Sequence, residues 1–157
     1  MIKQNEQLPS HTFNLLTSEG MTTPTTNELF ANKKVVLFAV PGAFTPTCSA
    51  AHLPGFVEHF EAFKQKGVDS LICLSVNDAF VMKAWGDAHN AGNITMLADG
   101  DGAFTRLLGL GKETGVFGGF RSNRYAMLVE NQAVTALWLE EPKTFEISSA
   151  TAVLAKI

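Results

Sequence analysis

Residues Val35 to Ser49 read VVLFAVPGAFTPTCS, and this segment carries the strongest structural signal in the chain. Its first six residues, Val35–Val40, are all apolar, which is typical of a strand buried on both faces of a sheet. Pro41 and Gly42 end this strand, because proline cannot donate to a ladder and glycine opens unusual backbone angles. The sequence therefore predicts a central strand that stops just before Cys48.

The residues that follow predict a helix with Cys48 in its first turn. Apolar residues recur at helical spacing from Leu53 to Phe63, and Gly67 has the character of a C-cap. Cys48 would then lie at the carboxyl end of a central strand, where α/β folds carry their chemistry. Unpaired N–H groups and the partial positive charge of the first turn favour a thiolate.

Thr45 lies one helical turn before Cys48, and its hydroxyl has two readings. It can donate to a thiolate or to an incoming oxygen while its other lone pairs accept. It can also be a simple helix cap, with Cys48 an inert buried thiol. An isolated Thr-x-x-Cys spacing leaves both readings open.

The rest of the chain predicts an α/β fold with a mixed sheet wrapped by helices. Short polar and extended segments come first, with a surface loop at 21–26 and a turn at 27–30. The later elements are a strand at 68–76, a helix from Asn77 or Asp78, a strand at 93–98, a helix at 103–108, a glycine-rich loop at 109–119, a hairpin of 124–130 with 133–140, and a terminal helix from Ser148 or Ser149.

Composition and charge exclude several classes of function. The 157 residues are 46% hydrophobic, so we expect one globular domain, residues 1–157. The net charge is −3 with scattered basic residues, which disfavours nucleic-acid binding. No apolar run approaches the ~20 residues of a membrane span, and the N-terminus lacks the apolar core of a signal peptide. The sequence does not decide whether a transit peptide has been removed. Histidines and carboxylates show no zinc spacing, so no metal is expected.

Pro41, Thr45 and Cys48 match Pro-x-x-x-Thr/Ser-x-x-Cys, and here the chain resembles the peroxiredoxins. The segments PGAFTPTCS, HLPGF and LSVNDAFVMKAW resemble the corresponding sequences of the type II (type V, atypical) subgroup. The resemblance implies a thioredoxin-like fold and reduction of hydrogen peroxide and alkyl hydroperoxides, with no metal or organic cofactor. It implies that Cys48 is the peroxidatic cysteine, that Pro41 shields it, and that Thr45 and Arg124 bind the peroxide. It also implies a homodimer formed through the loops around Cys48. The residues expected to line the substrate pocket are Gly42, Phe44, Thr47, His52, Phe117 and Arg121.

The chain departs from the subgroup's two-cysteine members, which carry a resolving cysteine near the C-terminus. The matching segment Thr144–Ser149 has none. We therefore expect a one-cysteine cycle, with glutathione and glutaredoxin as the first choice of reductant and thioredoxin as the second. Cys73 lies in an apolar strand, where it fills the core or, less favoured, resolves Cys48.

Two other functions remain open from the sequence: a non-catalytic redox sensor, and a thiol–disulfide oxidoreductase on the same fold. The second normally needs a cysteine three residues after Cys48, where this chain has Ala51. The two cysteines form no C-x-x-C pair, which favours a reducing, cytoplasmic compartment.

Overall fold

The computed structural model describes all 157 residues, and a five-stranded mixed sheet lies at its centre. The nine strands are β1 (Leu15–Thr17), β2 (Gly20–Thr22), β3 (Lys34–Ala39), β4 (Ser70–Ser75), β5 (Thr95–Ala98), β6 (Gly111–Glu113), β7 (Phe120–Ser122), β8 (Tyr125–Glu130) and β9 (Ala133–Leu139). The six α-helices are α1 (Thr26–Phe30), α2 (Leu53–Glu58), α3 (Phe60–Gln65), α4 (Ala79–Ala88), α5 (Ala103–Leu108) and α6 (Ala150–Leu154). A π-helical turn, Cys48–His52, precedes α2, and a 3₁₀ turn, Gly115–Phe117, joins β6 to β7.

The central sheet has the order β5-β4-β3-β8-β9. Strand β3 pairs in parallel with β4 and antiparallel with β8, so the predicted mixed sheet is confirmed. The hairpin of β8 and β9 is also confirmed. It turns at Asn131 and Gln132, whose φ angles of 47° and 69° are those of a tight hairpin turn.

Two apolar layers bury the faces of this sheet, because side chains alternate along each strand. Val36 and Phe38 of β3 face a layer that contains Cys48 and Cys73 and is covered by α2, α3, α4 and α6. Val35, Leu37 and Ala39 face the opposite layer, which is covered by α1 and α5. None of the helices has the length and apolar content needed to cross a bilayer.

The sequence predicts one continuous helix from Cys48 to Gly67, but the structure has a π-helical turn followed by two α-helices, α2 and α3. The helical segment begins with the π-helical turn and breaks at His59, where φ is −97° and ψ is 14°. Phe56 and Phe63 lie on either side of the break and pack in the same layer. The apolar spacing therefore continues across a break that it does not reveal.

Three short elements also differ from the sequence-based expectations. The predicted loop at 109–119 contains β6 and the 3₁₀ turn, and the predicted loop at 21–26 begins within β2. The expected turn at 27–30 is helix α1, which Thr25 and Glu28 close with a capping box. Strands of three residues are too short to show alternation, which is why the pattern missed them.

Candidate active site

Cys48 lies directly beyond the carboxyl end of β3, as the sequence predicts. Val40 still binds the neighbouring strand through its N–H and the Leu74 carbonyl, at 3.1 Å. The chain then turns at Pro41 and winds into a helix, with the Ser49 N–H donating to the Thr45 carbonyl at 2.9 Å. Cys48 is fully buried in the π-helical turn. Such turns are frequent at functional sites, because they re-aim side chains within a helix.

The sheet register carries Arg124 to Cys48. Tyr125, the first residue of β8, pairs with Ala39, the last residue of β3, so Arg124 lies beside the end of β3. Its Nη2 donates to the Cys48 Sγ at 3.2 Å. A permanent positive charge therefore touches the sulfur directly.

His52 contacts the same guanidinium. Its Nδ1 lies 2.9 Å from Arg124 Nη1, and its Nε2 lies 3.0 Å from the Ser148 carbonyl oxygen. Arginine only donates, so Nδ1 accepts and Nε2 carries the ring proton. Burial, and then the charge of Arg124, lower the pKa of His52 from 6.5 to about 3. The ring is neutral at physiological pH.

The Thr45 hydroxyl donates to the Gly42 carbonyl oxygen at 2.6 Å, so its proton is not directed at Cys48. This bond closes the turn between β3 and the helix. The lone pairs of the Thr45 oxygen stay available to accept a hydrogen bond from a peroxide O–H.

A cavity of about 460 Å³ opens beside these groups. Thr47 and Arg124, which neighbour Cys48 in the sequence and in the structure respectively, line it together with Pro41. Its remaining walls are mostly polar and are formed by Lys112, Asn123, Leu139, Glu140, Glu141, Pro142, Lys143, Thr144 and Phe145. Cys48 does not line the cavity, and Arg124, which does, connects the cavity to the sulfur.

Five of the six residues predicted to line the pocket lie outside this cavity, and Thr47 alone lines it. Phe44 and Phe117 are exposed by 56% and 81%. Phe44 has a left-handed φ of 62°, and Phe117 lies in the 3₁₀ turn of the β6–β7 hairpin. His52 is fully buried, where it contacts Arg124 rather than the cavity.

Gly42 and Arg121 form a supporting contact instead. Arg121 Nη1 donates to the Pro41 carbonyl at 3.1 Å and its guanidinium lies 5.5 Å from the Phe117 ring centroid. A Cβ on Gly42 would overlap that guanidinium. Arg121 therefore holds the backbone of the Pro41 turn, and a larger residue at position 42 would displace its guanidinium.

Cys73 is free and fully buried in β4. It pairs with Phe38 in the sheet and shares the apolar layer of Cys48. Burial, and then the proximity of Cys48, raise the pKa of the Cys73 thiol well above its ordinary value. No group of three or more His, Cys, Asp or Glu side chains is placed to hold a metal ion.

The sequence analysis missed two residues of the site, Glu140 and Phe145. The Glu140 N–H donates to the Arg124 carbonyl at 3.0 Å, so this glutamate, directly after β9, lies beside the arginine. Phe145 contacts both the His52 ring, at 4.9 Å between centroids, and the Arg124 guanidinium, at 5.7 Å. The predicted hairpin pairing was a signal for Glu140, because it places the end of β9 beside the start of β8.

The buried cysteine lies at the carboxyl end of a central strand, and an arginine donates to its sulfur. This arrangement is typical of the cysteine-based peroxidases as a class of protein. The family model Redoxin matches residues 3–154. Peroxiredoxin-2B of Arabidopsis thaliana is 48% identical over 141 residues, 87% of this chain and 86% of the relative. Peroxiredoxin sll1621 of Synechocystis is 47% identical over 139 residues, 83% of this chain and 74% of the relative. The structure of reduced Prx3 from Vibrio vulnificus superposes with a TM-score of 0.97 at 58% identity, and 99% of each chain is covered.

This chain belongs to the peroxiredoxins of the Redoxin family, with relatives of type II. The thioredoxin-like fold expected from the sequence is confirmed. The protein is a thiol peroxidase, which selects this function over the redox sensor and the thiol–disulfide oxidoreductase.

Proposed function

We propose that Cys48 is the peroxidatic nucleophile and that Arg124, Thr45 and Pro41 form its peroxide site. The observation that carries this assignment is the 3.2 Å contact between Arg124 Nη2 and Cys48 Sγ. The guanidinium stabilises a thiolate and stays charged throughout the reaction. Pro41 lines the cavity, and its proposed role is to limit the access of water to the sulfur.

The reaction is a displacement at one peroxide oxygen. The thiolate attacks that oxygen, the S–O bond forms as the O–O bond breaks, and the sulfur is oxidised to sulfenic acid. The second oxygen leaves as hydroxide or alkoxide and takes a proton to become water or an alcohol. Arg124 donates to the oxygens, and this contact strengthens as negative charge develops on them, while Thr45 accepts from the peroxide O–H and orients the peroxide.

Hydrogen peroxide and alkyl hydroperoxides are the proposed substrates. The relative from Vibrio vulnificus was crystallised with hydrogen peroxide, which supports the first of these. A Cys48→Ser variant tests the assignment with hydrogen peroxide and an excess of reductant. We expect no turnover, and turnover near the wild-type rate would remove Cys48 from the mechanism.

Glutathione is the proposed reductant of the sulfenic acid, and the charges of the cavity support this choice. The chain's single salt bridge joins Lys83 to Asp87 elsewhere, so Lys112, Lys143 and Glu141 are left without an ionic partner. Glutathione carries two carboxylates and one ammonium group, which complement two lysines and one glutamate. Its thiolate would displace hydroxide from the Cys48 sulfur to give a mixed disulfide and water. Glutaredoxin or a second glutathione would then release the thiolate.

Charge reversal at the two cavity lysines tests this reductant. In a Lys112→Glu, Lys143→Glu variant, two exposed pairs of about 0.7 kcal/mol each are lost, so the KM for glutathione should rise roughly tenfold. The rate with uncharged 2-mercaptoethanol should not change. Lys3→Glu changes an exposed lysine outside the cavity and is the matched control. An unchanged KM for glutathione, or faster turnover with thioredoxin in wild type, contradicts the proposal.

A homodimer in the cytoplasm is the proposed state of the protein. Phe44, Phe80 and Phe117 are exposed by 56%, 66% and 81%. Two contacts link the Phe44 turn to the Phe117 turn and to the start of α4, which carries Phe80. Arg121 joins the Phe117 turn to the Pro41 turn, and Ala43 donates to Asn77 Oδ1 at 3.0 Å. Such an apolar rim suits a second copy of the chain. Sedimentation of a Phe80→Glu, Phe117→Glu variant tests it, with dissociation expected, and a monomeric wild type would refute it.

A further inference from the structure

The Glu140 carboxylate accepts four hydrogen bonds from one short segment, residues 144–148. Its Oε1 accepts from the Thr144 hydroxyl at 3.1 Å. Its Oε2 accepts from the Glu146 N–H at 2.7 Å, from the Ser148 N–H at 2.8 Å and from the Ser148 hydroxyl at 2.7 Å. Only 8% of Glu140 is exposed. This carboxylate therefore determines where the backbone of the segment lies.

The segment held by Glu140 contacts the active-site arginine through His52. The Ser148 carbonyl accepts from His52 Nε2 at 3.0 Å, and His52 Nδ1 accepts from Arg124 Nη1 at 2.9 Å. Both ring nitrogens are engaged, so the ring cannot rotate without losing a bond. Phe145, from the same segment, packs against both the His52 ring and the guanidinium.

Arg124 needs such support, because its side chain has many rotamers. The bond to Cys48 uses Nη2 alone and does not determine the plane of the guanidinium. The bond from Nη1 to His52 supplies the second point that fixes this plane. An arginine fixed at two points presents its remaining N–H groups to a peroxide in one orientation.

We propose that Glu140 is a positioning residue for peroxide reduction, acting on Arg124 through Ser148 and His52. Its carboxylate makes no hydrogen bond to the sulfur or to the Arg124 guanidinium, although its backbone N–H donates to the Arg124 carbonyl. Its carboxylate fixes the 144–148 segment, the Ser148 carbonyl fixes the His52 tautomer and orientation, and His52 fixes the guanidinium. The inference rests on the proposed role of Arg124 at the peroxide site.

Burial opposes ionisation of Glu140, yet the hydrogen bonds from Ser148, Glu146 and Thr144 lower its pKa overall. The group is therefore the acceptor-only carboxylate that four donors require. A glutamine at this position replaces one acceptor oxygen with an NH₂ group and removes the charge that strengthens all four bonds. Glu140→Gln thus weakens the clamp while it keeps the side-chain volume.

The test is the rate of a single oxidation by hydrogen peroxide, without any reductant. The fluorescence of Trp85 can follow the oxidation of Cys48, because the Trp85 indole N–H donates to the Oγ of the neighbouring Ser49 at 2.9 Å. We expect Glu140→Gln to slow this second-order rate constant roughly 10- to 100-fold. Ser148→Ala, which removes only the hydroxyl donor, should slow it less. Glu146→Gln is the matched control, since that exposed side chain makes no hydrogen bond, and its rate should stay at the wild-type value.

A double-mutant cycle with His52→Leu separates positioning from general destabilisation. If Glu140 acts through His52, adding Glu140→Gln to His52→Leu should slow oxidation no further, although each lowers the rate alone. Multiplicative losses, or a Glu140→Gln rate equal to that of Glu146→Gln, overturn the proposal. Arg124→Met, measured in parallel, tests the proposed peroxide site itself. If Arg124→Met oxidises at the wild-type rate, the proposed site fails, whereas a slow Arg124→Met with a fast Glu140→Gln refutes only the positioning role.

Discussion

His52 should make the folded protein sensitive to mild acid. The residue is fully buried, and its pKa is lowered from 6.5 to about 3 by burial and then by Arg124. Between these two pH values the unfolded chain binds a proton on His52 that the folded chain does not. The stability that His52 supports is therefore complete above pH 6.5 and is lost as the pH falls.

The magnitude follows from the size of the pKa shift. At about 1.4 kcal/mol per pH unit, a shift from 6.5 to about 3 corresponds to roughly 5 kcal/mol at the acid limit. Between pH 7 and pH 5 the loss is about 2 kcal/mol, a large fraction of a typical domain's stability. Glu140 is still ionised in this window, because its pKa lies below 4.5.

The assay is urea unfolding of wild type and His52→Gln at pH 7, 6 and 5. Glutamine can still donate to the Ser148 carbonyl but does not titrate, and both proteins share every other titrating group. We expect the wild type to lose about 2 kcal/mol more than His52→Gln across this range. Equal losses in the two proteins would mean that His52 has the same pKa when folded and unfolded, contrary to this prediction.

Three substitutions test the site around Cys48. Arg124→Met removes a charge-assisted bond to Cys48 and should slow single-turnover oxidation by peroxide roughly 10- to 100-fold, whereas an unchanged rate would exclude a role for the guanidinium. Thr45→Val loses the bond to the Gly42 carbonyl and the acceptor for peroxide, so oxidation should slow about tenfold and Thr45→Ser should restore most of it. Cys73→Ala should keep the oxidation rate and the turnover with glutathione, at a cost of about 1 kcal/mol in urea unfolding, and lost turnover would make Cys73 a resolving cysteine.

The central fold was predictable from the sequence because its strands are long and apolar, and because residues such as Pro41 and Gly42 mark where they end. The run at Val35–Val40 became β3, and the hairpin strands fell within one residue of their predicted ends. The pairing of β3 with β8 then explains why Arg124 meets Cys48. From the sequence, only the resemblance selected Arg124 over Arg121.

The polar surroundings of the site were not predictable, because they depend on contacts between residues far apart in the chain. Glu140 and His52 are connected by their hydrogen bonds to Ser148, and no local sequence pattern at either residue predicts this connection. Phe117 was expected at the pocket because aromatic residues favour apolar rims, but the hairpin that carries it directs it into solvent. The sequence left open whether the Thr45 hydroxyl donates to the sulfur or to an incoming oxygen or caps the helix; in the structure it donates to the Gly42 carbonyl within its own turn.

The most direct test of the account is the site of oxidation after one equivalent of hydrogen peroxide. The protein is treated in the presence of dimedone, which traps sulfenic acid, and is then mapped by peptide mass spectrometry. We predict a single dimedone adduct on Cys48, with Cys73 still a free thiol. An adduct on Cys73 with Cys48 unmodified, or peroxide left unconsumed, would contradict the claim that the cysteine held by Arg124 is the nucleophile.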